Sequence, residues 1–443
     1  MQVRGQRAEL EKVIQRKVLA NGLEVIVVEN HGVPLATIEI DVKNGSFTQS
    51  PEYEGLAHMY EHMFFRANSK YPEPNQFWDR ASDLGAVFNG TTQEERVNYY
   101  MTVPAEKLGA GIELLATALR GPLFRRDELE RERQVVIGEY DRNESSPFFE
   151  LSRQADAKLY PGNFSRKDVI GDRQIVSTTT PEKMRFIQNK YYVPNNSVLI
   201  VAGDVSPAVV FSLAERELGQ WSRGADPFVA DPIPSIPPLQ KSEGVVVEAG
   251  VGAVTVQVQW QGPSVGQDPK STYAADVFSD VMNDPGSQFQ QRLVDSGLWQ
   301  AVGVNYYTLN HTGPITISGQ TSPEQLREAL AALYGEVAKF DTPGYVTSDE
   351  LEAVKAHRAV TSAFDRERAS GFAHTMGFWW IVASLEYYMG YVDYMAQQTL
   401  GDLRAYARRY IVGKRHIAGV LIAPNARQSL KLAPEDLVMT GTR

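Results

Sequence analysis

The stretch EGLAHMYEHMFF, residues 54–65, sets two histidines four positions apart among apolar neighbours. On a helix, His58 and His62 then stand one turn apart and about 40° apart in azimuth, so both imidazoles can close on one metal ion. Zn2+ is the usual guest of paired nitrogen ligands. Glu61, three residues past His58, leans over the same rim, where a general base for a metal-activated water belongs. Leu56, Met59, Tyr60 and Met63, at spacings of three, four and seven, form a second, core-facing stripe. The spacing predicts one helix with an apolar side and a ligand side.

The chain has seven histidines in 443 residues. At that frequency an H-x-x-[DE]-H match arises by chance in roughly one chain in a hundred of this composition. The bland alternative, two surface histidines on an amphipathic helix, is weakened by that rarity and by the apolar flanks. The order also matters: H-x-x-E-H is the inversion of the common zinc-protease arrangement H-E-x-x-H.

Bulk properties narrow the field. The length suggests two to four domains with ample core. A net charge of −10 and the lack of a basic run make nucleic acid or an anionic membrane surface an unfavoured partner. With no cysteine, any metal must be held by histidine and carboxylate. No window approaches 18 apolar residues, so no membrane span is expected. The opening MQVRGQRAELEK lacks the apolar region of a signal peptide. A leader could have been removed before it, so the reading leaves bacterial periplasm and cytoplasm both open.

Working outward, KVLANGLEVIVVEN alternates apolar residues around an Asn21-Gly22 turn, and LATIEIDVKNGS follows as a further strand. Ser50-Pro51 or Gly55 marks the start of the ligand helix. PNQFWDRASDLGA is helical, and AVFNGTTQEERVNYYMTVP is a strand or hairpin. AEKLGAGIELLATALRGPLF is an amphipathic helix. DELERERQVVIGEYDRNESSP opens with Asp127 and Glu130 at capping-box spacing and continues as a long helix. Residues 224–244 are proline-rich and aperiodic, a linker. Beyond it, GVVVEAGVGAVTVQVQW, STYAADVFSDVMND and PEQLREALAALYGEVAKF repeat the first plan. LGDLRAYARRYIVGKRHIAGVLIAP parallels KMRFIQNKYYVPNNSVLIVAGDV at an offset of about 218 residues. The expectation is an α+β protein of two homologous halves, 1–223 and 245–443, each a mostly antiparallel sheet packed with helices. The aromatic run GFWWIVASLEYYMGYVDYM reads as buried helix surface.

Two histidines leave a catalytic zinc short of its usual three protein ligands. His31 lies in a turn and is expected to be solvated. The helix opening at Asp127 carries Glu128, Glu130, Glu132 and Glu139; Glu132 and Glu139, seven apart, share one face. Spacing alone does not choose between them.

HMYEHMFF followed some 77 residues later by ERERQVVIGEY resembles the pitrilysin/insulinase family of zinc peptidases. NGLEVIVVEN, LGAVFNGTTQ, DVIGDRQIV, YYVPNNSVLIVAGDV and the linker extend the likeness over nearly the whole chain. The resemblance implies one Zn2+ per chain, Glu139 as its third ligand, Glu61 as base, and Glu132 as a residue that orients or charges the site. It implies the shorter, bacterial or mitochondrial-processing type, in which two chains close like a clam shell. It also implies that an extended peptide adds to an edge strand containing Phe88, Asn89, Gly90 and Thr91.

One departure stands out. Family members that act carry an arginine and a tyrosine in the second half, around a stretch like LREKRGLAY. Here the run is SQFQQRLVDSGLWQAVGV, with Leu293 and Gln300 in those places. Arg292 is one residue off, and Tyr306 and Tyr307 lie six or seven further on. Read as a strand, a one-residue shift turns a side chain to the wrong face, so the pair is expected to be lost. A homologous partner subunit carrying Arg and Tyr then completes a peptidase heterodimer. The alternatives are a non-catalytic scaffold subunit and a self-sufficient homodimeric peptidase.

Overall fold

The computed structural model describes residues 6–162 and 168–438, so the first five residues of the opening segment lie outside it. The first half supplies β1 (Ile14–Val18), β2 (Glu24–Glu29), β3 (Leu35–Val42), β4 (Val87–Thr92), β5 (Val97–Pro104) and β6 (Ser197–Gly203). They form one sheet in the order β1-β2-β6-β3-β5-β4. The second half supplies β7 (Glu243–Glu248), β8 (Val254–Gln261), β9 (Ala301–Tyr306), β10 (Pro314–Thr321) and β11 (Ile417–Ile422), in the order β7-β11-β8-β10-β9. Without β1 the two orders are the same, and the parallel pair falls at the same place in each, β2 with β6 and β7 with β11. The architecture is α+β, two mostly antiparallel sheets packed with helices.

Alternation sets the two faces of each sheet. Ala36, Ile38, Ile40 and Val42 of β3 join the core shared with the ligand helix. Thr37, Glu39 and Asp41 point the other way and are buried as well. Both faces are buried because each sheet is sandwiched. Its outer cover comes from the opposite half: the helix Pro147–Leu159 packs on β11 and β7, and the helix Ala369–Val382 packs on β3 and β6. Leu151, Ala155 and Leu159 thus share a core with Val245, Val247, Ile417 and Leu421. The aromatic run of the sequence is split between Ala369–Val382 and a following helix, Leu385–Ala396, and is mostly buried.

Two local starts differ from expectation or resolve it. The ligand helix spans Leu56–Phe64 and begins at Gly55, whose φ of 83° and close approach to the Ile170 carbonyl (2.7 Å from a built Cβ) suit only glycine. Ser50-Pro51 opens only the short 3-10 turn Pro51–Tyr53. The long helix runs Arg126–Glu144 with Arg125 as its N-cap, so Asp127 and Glu130 make no capping box. Asp127 is already helical there, and with Glu128 it sits in the first turn, where the helix dipole favours acids. Among the described residues no helix is long and apolar enough to cross a membrane.

Candidate metal centre

The ligand helix crosses the helix Arg126–Glu144, and the two histidines meet a glutamate at the crossing. His58 Nε2 lies 3.5 Å and His62 Nε2 3.7 Å from the same oxygen, Oε2 of Glu139. Among the described residues these three side chains are the group whose donor atoms converge, all within 4.8 Å of one another. Donors about 2.0–2.2 Å from a tetrahedral Zn2+ stand roughly 3.4 Å apart. The observed spacing therefore fits one ion with little movement of the side chains, and the nitrogen and carboxylate donors suit zinc.

Protonation favours the same reading at His58. Burial, with His62 adding to it, pushes His58 down to about 3, so its imidazole is neutral as a ligand must be. Burial also lowers His62, but the Glu132 hydrogen bond and the surrounding carboxylates outweigh it and leave this histidine raised. Glu132 Oε2 lies 3.2 Å from His62 Nδ1, while its other oxygen accepts from Arg66 Nη2 at 2.6 Å. That contact fixes the far nitrogen of the ring and leaves Nε2 facing Glu139. Glu132 and Glu139, open alternatives in the sequence, thus take different positions: Glu139 faces both rings, and Glu132 stands behind His62.

Glu61 is free of the three-residue cluster. Its Oε2 accepts from Thr92 Oγ1 at 2.8 Å, and burial raises its carboxyl above the ordinary range, with Thr92 and His62 pulling the other way. Phe88, Asn89, Gly90 and Thr91 lie in β4, which pairs only with β5 and forms the edge of its sheet. Gly90 passes directly over Glu61: a Cβ there would stand 2.9 Å from Glu61 Cγ and 3.1 Å from the Phe65 ring. A cavity of about 400 Å³ opens from His58 and Glu139 toward Arg142, Phe149, Arg153 and Asp168.

Thr92 and Arg66 escaped the reading of the sequence, although both carry a signal. Arg66 is four residues past His62, and Thr92 is two past Gly90 on the same strand face. In the second half, residues 288–295 are helical, Gln288–Gln290 running into a wide turn Gln291–Asp295, so the strand-alternation argument about Arg292 does not apply. Arg292 pairs with Glu336 (3.0 Å) and Gln288. Leu293 is fully buried, and Gln300 sits exposed at the foot of β9. Tyr306 is buried with its hydroxyl donated to the Pro263 carbonyl at 3.0 Å.

Fold and site together make a two-half α+β architecture with a His58–His62–Glu139 cluster in its first half. The family model for insulinase (peptidase family M16) matches residues 24–162, and that for the peptidase M16 inactive domain matches residues 178–357. This chain belongs to the insulinase-type peptidase family M16. It is 25% identical over 407 residues to zinc protease PqqE of Helicobacter pylori, covering 89% of this chain and 86% of that one. It is 26% identical over 348 residues to the uncharacterized zinc protease YmxG of Bacillus subtilis, covering 77% and 82%. A solved protease structure from Helicobacter pylori superposes with a TM-score of 0.82 at 22% identity, over 92% of this chain and 99% of that one.

Proposed function

We propose that this chain is the zinc-bearing catalytic subunit of a peptidase that hydrolyses peptides or unfolded polypeptides. The observation that carries the reading is the convergence of His58, His62 and Glu139 with Glu61 left outside the cluster, held by Thr92. Those three residues would hold Zn2+, which when bound would supply a Lewis acid for the scissile carbonyl and lower the pKa of a water toward neutrality. Glu61, held by Thr92, would take a proton from the attacking water and hand it to the leaving amine. Glu132 positions His62 through the ring's far nitrogen. The edge of β4 receives the peptide as an added strand, with Gly90 letting its backbone pass close to Glu61.

The substrate-holding arginine and tyrosine come, in this reading, from a homologous partner subunit. Arg292 and Tyr306 support it, since both are committed to partners within their own half. Loss of such donors costs about 2.7–4 kcal/mol of transition-state stabilisation. Residues 1–223 and 245–443 serve as the two halves and 224–244 as their link.

Glu61→Gln is the direct test. The variant is expected to hold one zinc per chain, by metal analysis, while peptide turnover in the complete complex falls to background. Cleavage at the unaltered rate would remove Glu61 from the mechanism. The chain alone is expected to turn over far more slowly than when mixed with its partner; equal rates would return the homodimer.

A further inference from the structure

A second cavity lies where the two halves meet, away from the metal centre. It measures about 260 Å³, smaller than the roughly 300–1,000 Å³ of a drug-sized pocket. Its walls come from the end of β3 (Lys43), the β4–β5 turn (Glu95), the 224–244 link (Phe228, Ile233), the β9–β10 loop (His311) and the end of the helix Ala369–Val382 (Ile381). Segments of both halves and of the link therefore meet there.

The charges in this cavity are unequal in their satisfaction. Glu95 is fully engaged: it accepts from the backbone nitrogens of Asn310 (2.8 Å) and His311 (2.9 Å) and lies 2.6 Å from His311 Nδ1. Lys43 has no carboxylate oxygen within ion-pair distance among the described residues; its ammonium lies 4.6 Å from the Trp380 ring centre. Of the two acids that act on it, Glu24 accepts from Trp380 Nε1 through one oxygen and Asp226 accepts from the backbone of Phe228 through one oxygen. Burial lowers the Lys43 ammonium, with Asp226 and Glu24 opposing. A half-buried cation and apolar side chains in one lining call for an anion with an apolar body.

We propose that this junction cavity binds a small carboxylate, its charge on Lys43 and its apolar body against Phe228, Ile233 and Ile381. A free short-chain acid and the C-terminal carboxylate of a peptide ending in an aliphatic residue share that chemistry. Because its walls come from both halves and the link, an occupant stabilises their arrangement by mass action.

The test titrates the full chain calorimetrically, and follows its thermal unfolding, with hexanoate, hexanamide, N-acetylglycylleucine and the amide of that dipeptide. At least one acid is expected to bind saturably at millimolar concentration and raise Tm, while its amide does neither. Binding by hexanoate alone identifies a free acid, and binding by the dipeptide alone identifies a peptide terminus. Lys43→Met is expected to weaken the acid by about ten- to a hundredfold, the worth of a hydrogen bond to a charged group. Ile233→Trp, which fills the cavity and keeps Lys43, is expected to abolish binding even if Lys43→Met proves unstable. Amide binding as tight as acid, no saturable acid, or affinity unchanged in Lys43→Met overturns the proposal. The last outcome would place the carboxylate at the metal centre.

Discussion

Glu132 touches the candidate metal centre from behind, through His62. Its carboxylate joins His62 Nδ1 to Arg66, and its side chain is 5% exposed, so the ring it holds cannot rotate without breaking a buried charged contact. Glu132→Ala is expected to weaken zinc by about 10–100-fold, measured by competition with a chromophoric chelator. Unchanged affinity would show that the crossing of the helices alone holds His62. Gly90 carries a constraint of another kind. The Cβ of Gly90→Ala would press on Glu61 Cγ and the Phe65 ring. The variant is expected to cost about 1–3 kcal/mol of stability by overpacking and to lower turnover more than zinc content. At this scale the sequence was readable where a helix turns spacing into adjacency: four residues put His58 beside His62. It was not readable where two helices cross, because only the crossing angle decides which of Glu132 and Glu139 meets the rings.

The elements repeat in order as well as in kind. Among the described residues five helices separate β5 from β6, and five separate β10 from β11, once three-residue turns are set aside. The helix Pro269–Asn283 stands where the ligand helix stands, and Ser348–Phe364 where Arg126–Glu144 stands; each pair is in contact. The second crossing is charge-inverted. Asp276 and Asp280, four apart like the histidines, meet Arg358, which donates to both Asp280 oxygens at 2.8 and 2.6 Å. Tyr391 donates its hydroxyl to Asp276 at 2.7 Å. A fixed guanidinium thus occupies the role that a metal ion fits in the first half. Arg358→Leu leaves the two acids facing each other and is expected to lower stability by about 1–3 kcal/mol, less than a fully buried pair because these side chains remain partly exposed. Zinc content is expected to stay unchanged; a loss of zinc would show that the two crossings are coupled. Strands and helices were legible through periods of two and 3.6, but the exchange of Pro147–Leu159 and Ala369–Val382 between sheets was not. An amphipathic helix declares which face it buries and says nothing of the sheet that buries it.

That exchange makes the junction between halves a buried polar layer. Glu39 and Asp41 of β3 face the helix Ala369–Val382, with Arg96 between them and Asn98 donating to Glu39 at 2.7 Å. His374 of that helix contacts Glu39, and the Gly377 backbone lies against the Asp41 carboxylate so closely that a Cβ could not fit. Two carboxylates share one guanidinium, and both are fully buried. Burial pushes Asp41 up to about 8, with Arg96 opposing and Glu39 adding to the rise. An acid whose folded pKa lies above its unfolded value near 3.8 binds its proton more tightly in the folded state. Its contribution to stability is therefore complete below about pH 4 and is lost as pH rises through about 8. The slope for one such proton is at most about 1.4 kcal/mol per pH unit. Asp41→Asn keeps an acceptor for Arg96 and removes the titration. Between pH 5 and 8 the unaltered chain is expected to lose Tm progressively while Asp41→Asn holds nearly level. The two are expected to differ most in hydrogen exchange along residues 369–382, where the second half rests on the first. Parallel Tm curves across that range would mean that Arg96 keeps Asp41 ionised throughout, and that the proton of this layer resides elsewhere.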